Sequence, residues 1–153
     1  MKKYEFTGES KAYAGRTLRR IRATVTFGVV KVGELGGWIE KEENLSQKGN
    51  AWVYGNAWVY GDARVSGNAW VPGNARVYKT THLLVIGPIG SRASYTTFYR
   101  DNDKEITVLC GCFLGKIDQF LKKVTKTHGG NRHALVYRTA VEVAKAHIDL
   151  EDN

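Results

Sequence analysis

Apolar positions along the chain change period twice, and each change marks a different kind of element. Near the start, TLRRIRATVTF sets Ile21, Ala23, Val25 and Phe27 against Arg20, Arg22 and Thr24. Such alternation predicts a half-buried strand with a basic outer face. From Gly49 to Tyr78 the period becomes six, and Gly-Asn-Ala-x-Val-x recurs with Asp62 once replacing Asn. Six fits neither an α-helix nor a simple strand; it predicts a β-solenoid in which each hexapeptide supplies one short strand and one corner. Val53, Val59, Val65, Val71 and Val77 then point inward, and so do Ala51, Ala57, Ala63, Ala69 and Ala75, two residues before them. The Gly-Asn pairs take the corners, where positive φ is tolerated.

After Tyr78 the six-residue pattern stops. HLLVIG reads as an apolar strand, followed by the loop GPIGSR (Gly87 to Arg92), and then YTTFYR and EITVLCGCF around a DNDK turn. Ile117, Phe120, Leu121 and Val124 follow helical spacing, with Asp118 in the first turn and Lys122, Lys123 and Lys126 toward the end. HGGN breaks this helix, and Asn131 is the expected N-cap of a second one running from about Arg132 to His147. Leu135, Thr139, Ala140 and Val143 are expected to face inward from it.

The repeat resembles the hexapeptides of bacterial acyltransferases, whose fold is a left-handed parallel β-helix with three hexapeptides per triangular coil. That resemblance stacks Trp52 under Trp70, Trp58 under Arg76, and Tyr60 under Tyr78, with GGWIEKEENLSQ as an irregular first coil. So many outward aromatic side chains need a cover, either another part of the chain or another subunit. With the exposed coil ends, they predict a homo-oligomer, a trimer or a dimer. A longer ordered set, GRTLRRIRA, GELGGWIEKEENLSQ, GNAWVYG, VIGPIGSR and CGCFLGKIDQFLKKV, resembles a family of phage and prophage hexapeptide-repeat proteins with a two-helix C-terminal tail. It implies no catalytic residues. The expected fold is therefore α+β: an N-terminal strand region (1–36), a short left-handed parallel β-helix (37–78), and a C-terminal cap (79–153) of a β-hairpin and two helices from about 116.

Composition adds limits. Hydrophobic residues are 42% and charged ones 25%, ordinary for a folded domain. No stretch approaches the apolar length of a membrane span, and MKKYEFTGESKAYAG has no apolar run of a signal peptide. A cytoplasmic protein with no membrane partner is expected. Cys110 and Cys112 have the wrong spacing for the usual redox pair and are expected as buried thiols on one face of a strand, with no metal. The net charge is +8, and residues 1–32 hold eight Lys/Arg against two Glu. The cluster Arg16, Arg19, Arg20 and Arg22 would suit an acidic partner, though a solvated strand face explains it equally well.

The most informative chemistry lies in GPIGSR. Gly87 and Gly90 allow close backbone approach to an anion, and Ser91 and Arg92 supply donors. Tyr95, Thr97, Tyr99 and Arg100 add aromatic faces and polar groups. The spacing is not that of a P-loop, and a tight turn between strands is the competing reading. An anionic, nucleotide-type small molecule is the expected ligand. An acyltransferase needs a general base, yet the hexapeptides contain no histidine; His82 follows them directly, and His128, His133 and His147 sit where caps would. The leading expectation is thus a non-enzymatic counter-defence protein, without cofactor, that sequesters a host nucleotide-type signal. The alternatives are an inhibitor that binds a host defence enzyme or nuclease, and a hexapeptide-repeat acyltransferase.

Overall fold

The computed structural model describes residues 2–151. Among them, eleven strands in three sheets and two α-helices make a mixed α/β chain. It divides into two compact units, the first ending at Thr80 and the second beginning at Thr81.

In the first unit, β1 (Tyr4–Tyr13) and β2 (Arg16–Ala23) form an antiparallel hairpin whose turn holds Ala14 and Gly15 at positive φ. β3 (Leu35–Ile39) pairs antiparallel with β2. Four two-residue strands follow: β4 (Trp52–Val53), β5 (Trp58–Val59), β6 (Trp70–Val71) and β7 (Arg76–Val77). β5 lies parallel to β3 and β7 parallel to β5, which completes a five-stranded sheet, while β4 and β6 make a separate parallel pair. Trp52 stands opposite Trp70 and Trp58 opposite Arg76, as the stacking expectation required.

The left-handed parallel β-helix expected for 37–78 is nevertheless not formed. Parallel pairing is confined to short strands split between two sheets, and the hexapeptide starting at Gly61 adds a single bridge, Val65 to Leu45. Two of every six residues are spent on corners, with Gly49, Gly55, Gly61 and Gly67 at positive φ. Five repeats also offer each strand at most one neighbour of its own kind, too few to propagate a solenoid.

What the repeat does build is a narrow core. All five valines of the column are fully buried, and the five alanines are at most 1% exposed. The aromatic positions are covered from within the unit. Trp52 is fully buried, with Phe27 edge-on at 5.3 Å and Tyr4 at 6.4 Å. A Cβ on Gly36 would stand 2.7 Å from the Trp52 ring, so only glycine lets β3 pass there. Trp58 meets Tyr13 at 4.8 Å and the Arg76 guanidinium at 4.2 Å, and Tyr60 stacks on Tyr78 at 5.1 Å. The cover comes from the N-terminal region and from the repeat itself, which removes one of the reasons for expecting an oligomer.

Asn44 and Lys3 satisfy buried backbone groups in this unit, while the Nε1 groups of Trp38 and Trp52 are buried without a hydrogen-bond partner. Asn44 accepts from the Glu40 and Lys41 amides and donates to the Gly61 and Ala63 carbonyls. Lys3, 4% exposed, donates from Nζ to the Ala51 carbonyl at 2.6 Å and lies 4.9 Å from the Phe27 ring centroid. Burial lowers its ammonium to about 8.

The second unit is an antiparallel meander with two helices on one face. β8 (Leu83–Ile89), β9 (Ser94–Arg100), β10 (Ile106–Cys110) and β11 (Phe113–Lys116) pair in sequence, followed by α1 (Ile117–His128) and α2 (Arg132–His147). Phe98, Ile106 and Val108 from the sheet pack against Ile117, Phe120 and Val124 of α1. The expected terminus signals hold: Gly129 takes φ 61 after α1, and Asn131 Oδ1 accepts from the Ala134 amide at 3.0 Å. The inward face of α2 is shifted from expectation. Ala134, Tyr137, Ala140, Val141 and Ala144 are buried, whereas Leu135 and Val143 are exposed, because small residues let the helix approach the sheet closely. EITVLCGCF breaks at Gly111, so the two cysteines do not share a strand. Cys110 is half-buried and Cys112 exposed. No helix among the described residues is long and apolar enough to cross a membrane.

Asp101 anchors the opposite end of the meander. Its fully buried carboxylate accepts from the Asp103 and Glu105 amides, the Thr107 hydroxyl and Lys116 Nζ at 2.6 Å. Burial alone would raise its pKa; the Lys116 ammonium, the hydroxyl and the two amides outweigh that and hold it below the usual range. The folded form therefore keeps a charge advantage above the unfolded aspartate pKa of about 3.9, and loses it as pH falls through the lower folded value. Thermal melts should show Asp101→Asn less stable than wild type at pH 7, with the gap narrowing toward pH 3. A gap independent of pH contradicts this reading. In the first unit, Val65→Asp places an unpaired carboxylate in the valine column and should cost on the order of 4 kcal/mol or more. A denaturation midpoint equal to wild type would remove Val65 from the core.

Candidate functional site

In a meander, alternate turns emerge at the same end of the sheet. The β8–β9 turn, with Gly90 at φ 81, and the β10–β11 turn, with Gly111 at φ 58, thus sit side by side. α1 starts directly from β11, so its C-terminal half lies against that end. Together with Tyr137 of α2 these segments enclose a cavity of about 330 Å³.

Each wall contributes different chemistry. Phe113, Phe120 and Val124 make an apolar floor; Ser91 and Arg92 come from the first turn, Cys110, Gly111 and Cys112 from the second, and Lys123, Thr127 and His128 from α1. Two cationic side chains line the cavity and no carboxylate does. Such a lining favours an anionic ligand with an apolar portion. The His128 ring, half-buried, stacks at 5.8 Å on Tyr137 and lies 5.5 Å from His133. His128 is thus a wall of the cavity rather than the cap that its position suggested.

Tyr137 organises the inner end. Its hydroxyl oxygen accepts from the Cys110 thiol at 3.9 Å, and the same sulphur accepts from the buried Thr96 hydroxyl at 3.4 Å. Burial first, then the neighbouring Cys110, pushes the Tyr137 phenol up to about 12, with Arg92 acting in the opposite direction. The phenol stays protonated at neutral pH, and its oxygen accepts from the Cys110 thiol. Gly90 makes this possible, since a Cβ there would overlap Tyr137 Oη.

The residues singled out from GPIGSR onward divide. Ser91 and Arg92 line the cavity and Gly90 faces Tyr137, as just described. Gly87 forms a cis bond with Pro88 and packs under the Tyr95 ring. Tyr95, Thr97 and Tyr99 alternate onto the sheet face opposite Phe98, and Thr97, Tyr99 and Arg100 are buried at 2%, 0% and 4%. The structure does not bring these four to the cavity. Nor does it bring His82, which is fully buried.

The basic strand is engaged inside its own unit. Arg16 pairs with Glu40 at 2.8 Å and Arg22 with Glu5 at 2.6 Å. Arg19 donates to the Glu40 carbonyl, and Arg20 to the Gly36 carbonyl while lying over Trp38 at 5.6 Å. These contacts give the arginines a structural role. Cys110, Lys123, His128 and Tyr137 were not recognised as site residues in the sequence. They are spread over three elements, and only the shared end of the sheet joins them.

No family model matches the chain. It is similar to the "Uncharacterized acetyltransferase YdcK" of Escherichia coli (strain K12), with 37% identity over 62 residues. The match takes in 35% of this chain and 19% of that protein. A relationship of the hexapeptide-repeat type is compatible with it. The expectation of a non-enzymatic protein is corrected by this similarity, because the matched protein is named an acetyltransferase, and it shows no link to phages or host defence.

Gly90→Ala should displace the Tyr137 ring and close the inner end of the cavity while the sheet stays paired. Tyr137 ring resonances in an NMR spectrum should move well beyond those of Tyr99. Unmoved Tyr137 signals would mean that Gly90 does not set its position.

Proposed function

We propose that the protein transfers acyl groups and that the second unit's cavity is the reaction site. The observation that carries this reading is the convergence of a half-buried imidazole, two cations and an aromatic floor in one carboxylate-free cavity. The similarity to an acetyltransferase supplies the reaction class. Arg92 and Lys123 hold the anionic portion of the donor by charge-assisted bonds. A nucleotide-linked thioester fits this chemistry and keeps the nucleotide-type anion expected at Ser91 and Arg92. Phe113, Phe120 and Val124 take the apolar part. His128 removes a proton from the acceptor amine or hydroxyl, since imidazole is the side chain best suited to proton transfer near neutral pH.

Incubation with acetyl-CoA and a panel of amine and hydroxyl acceptors should release free thiol. Arg92→Ala should raise KM for the donor by about one to two orders of magnitude, the loss of one charge-assisted bond, with melting temperature unchanged. The absence of thiol release with every acceptor contradicts the reading. Equal kinetics for wild type and Arg92→Ala would place the donor elsewhere.

A further inference from the structure

We infer that Cys110 receives the acyl group itself and carries it as a thioester between donor and acceptor. This rests on the acyl-transfer reading and adds a covalent step to it. Cys110 packs against the hydrophobic core of the second unit on one side and lines the cavity on the other. It stands half-buried in the cavity wall, its sulphur accepting from the Thr96 hydroxyl at 3.4 Å and its thiol donating to the Tyr137 oxygen at 3.9 Å. Thr96 is fully buried, so its hydroxyl is fixed on the sulphur rather than shared with solvent. Arg92 and Lys123 line the same cavity. The thiolate is the nucleophilic form of a cysteine, and His128 in the same cavity is the base that generates it. Cys112 lines the same cavity from the turn but is exposed to solvent.

The step balances without an oxidant or reductant. His128 takes the Cys110 proton, and Sγ attacks the carbonyl carbon of the donor thioester. The bond from that carbon to the donor sulphur breaks, and the departing thiolate takes the proton back from His128. Cys110 then holds the acyl group. The acceptor's nitrogen or oxygen attacks the new thioester, passing its proton through His128 to Sγ and restoring the thiol.

The test uses the whole chain with acetyl-CoA and no acceptor, read by intact mass and peptide mapping. One acetyl group is expected on Cys110, released when acceptor is added. Cys110→Ala should not acetylate. Thr96→Val should slow acetylation about tenfold, the loss of roughly one hydrogen bond to the sulphur. Should Cys110→Ala melt early, Cys110→Ser, nearly the same size, replaces it and should turn over acceptor far more slowly than wild type. An adduct on Cys112 or on lysines alone overturns the inference. So does thiol release that continues at the wild-type rate in either Cys110 variant, and acyl transfer then stands as a direct reaction. Neither adduct nor thiol release in the wild type overturns both.

Discussion

The candidate site depends first on the packing of Phe120. Its ring meets Phe98 of the sheet edge-on at 6.3 Å, Tyr137 of α2 edge-on at 5.6 Å, and Phe113 of the last strand at 5.5 Å. Edge-to-face contacts of this kind add about 0.5–1.5 kcal/mol each beyond the area they bury, and they also fix direction. Through that one residue the sheet, both helices and the cavity floor share a single geometry. Tyr137, held by Phe120 on one side and by the open backbone of Gly90 on the other, can then bring its hydroxyl to Cys110.

The hexapeptides serve a different purpose. Small alanines and branched valines fill a core so narrow that every member of both columns is buried, and the aromatic positions between them become a surface for the N-terminal hairpin. That hairpin brings Lys11 over Trp38 at 4.0 Å and over Trp58 at 5.2 Å, and Arg76 from the repeat itself lies over Trp58. The basic composition of the first unit is thereby explained largely by its own aromatic and carboxylate partners. Its repeats shape a scaffold, while the groups able to do chemistry gather in the second unit.

Local signals in the sequence were read well where one residue decides the outcome. Asn131 caps α2, Gly129 ends α1, DNDK makes the β9–β10 turn, and the valine and alanine columns both face inward. Signals that depend on neighbours misled. A hexapeptide period looks the same whether its strands extend a sheet or close into a solenoid, and here β5 and β7 joined the hairpin sheet through β3. Leu135 and Val143 are more apolar than Ala134 and Ala144, yet the smaller residues were buried because α2 lies close to the sheet. Of the residues lining the candidate cavity, Ser91 and Arg92 were legible in the sequence. The rest were hidden because Cys110 and His128 converge only after the meander brings its two turns to the same end.

The central claim is that the second unit's cavity, rather than the repeat, meets the donor. It is tested most directly by NMR titration of the labelled protein with a non-reactive acyl-CoA analogue. Amide shifts are expected within 90–93, 110–112 and 123–128, and at Tyr137, at concentrations that leave the hexapeptide amides unmoved. Shifts concentrated between Gly49 and Tyr78, or no shift in either unit, would contradict it.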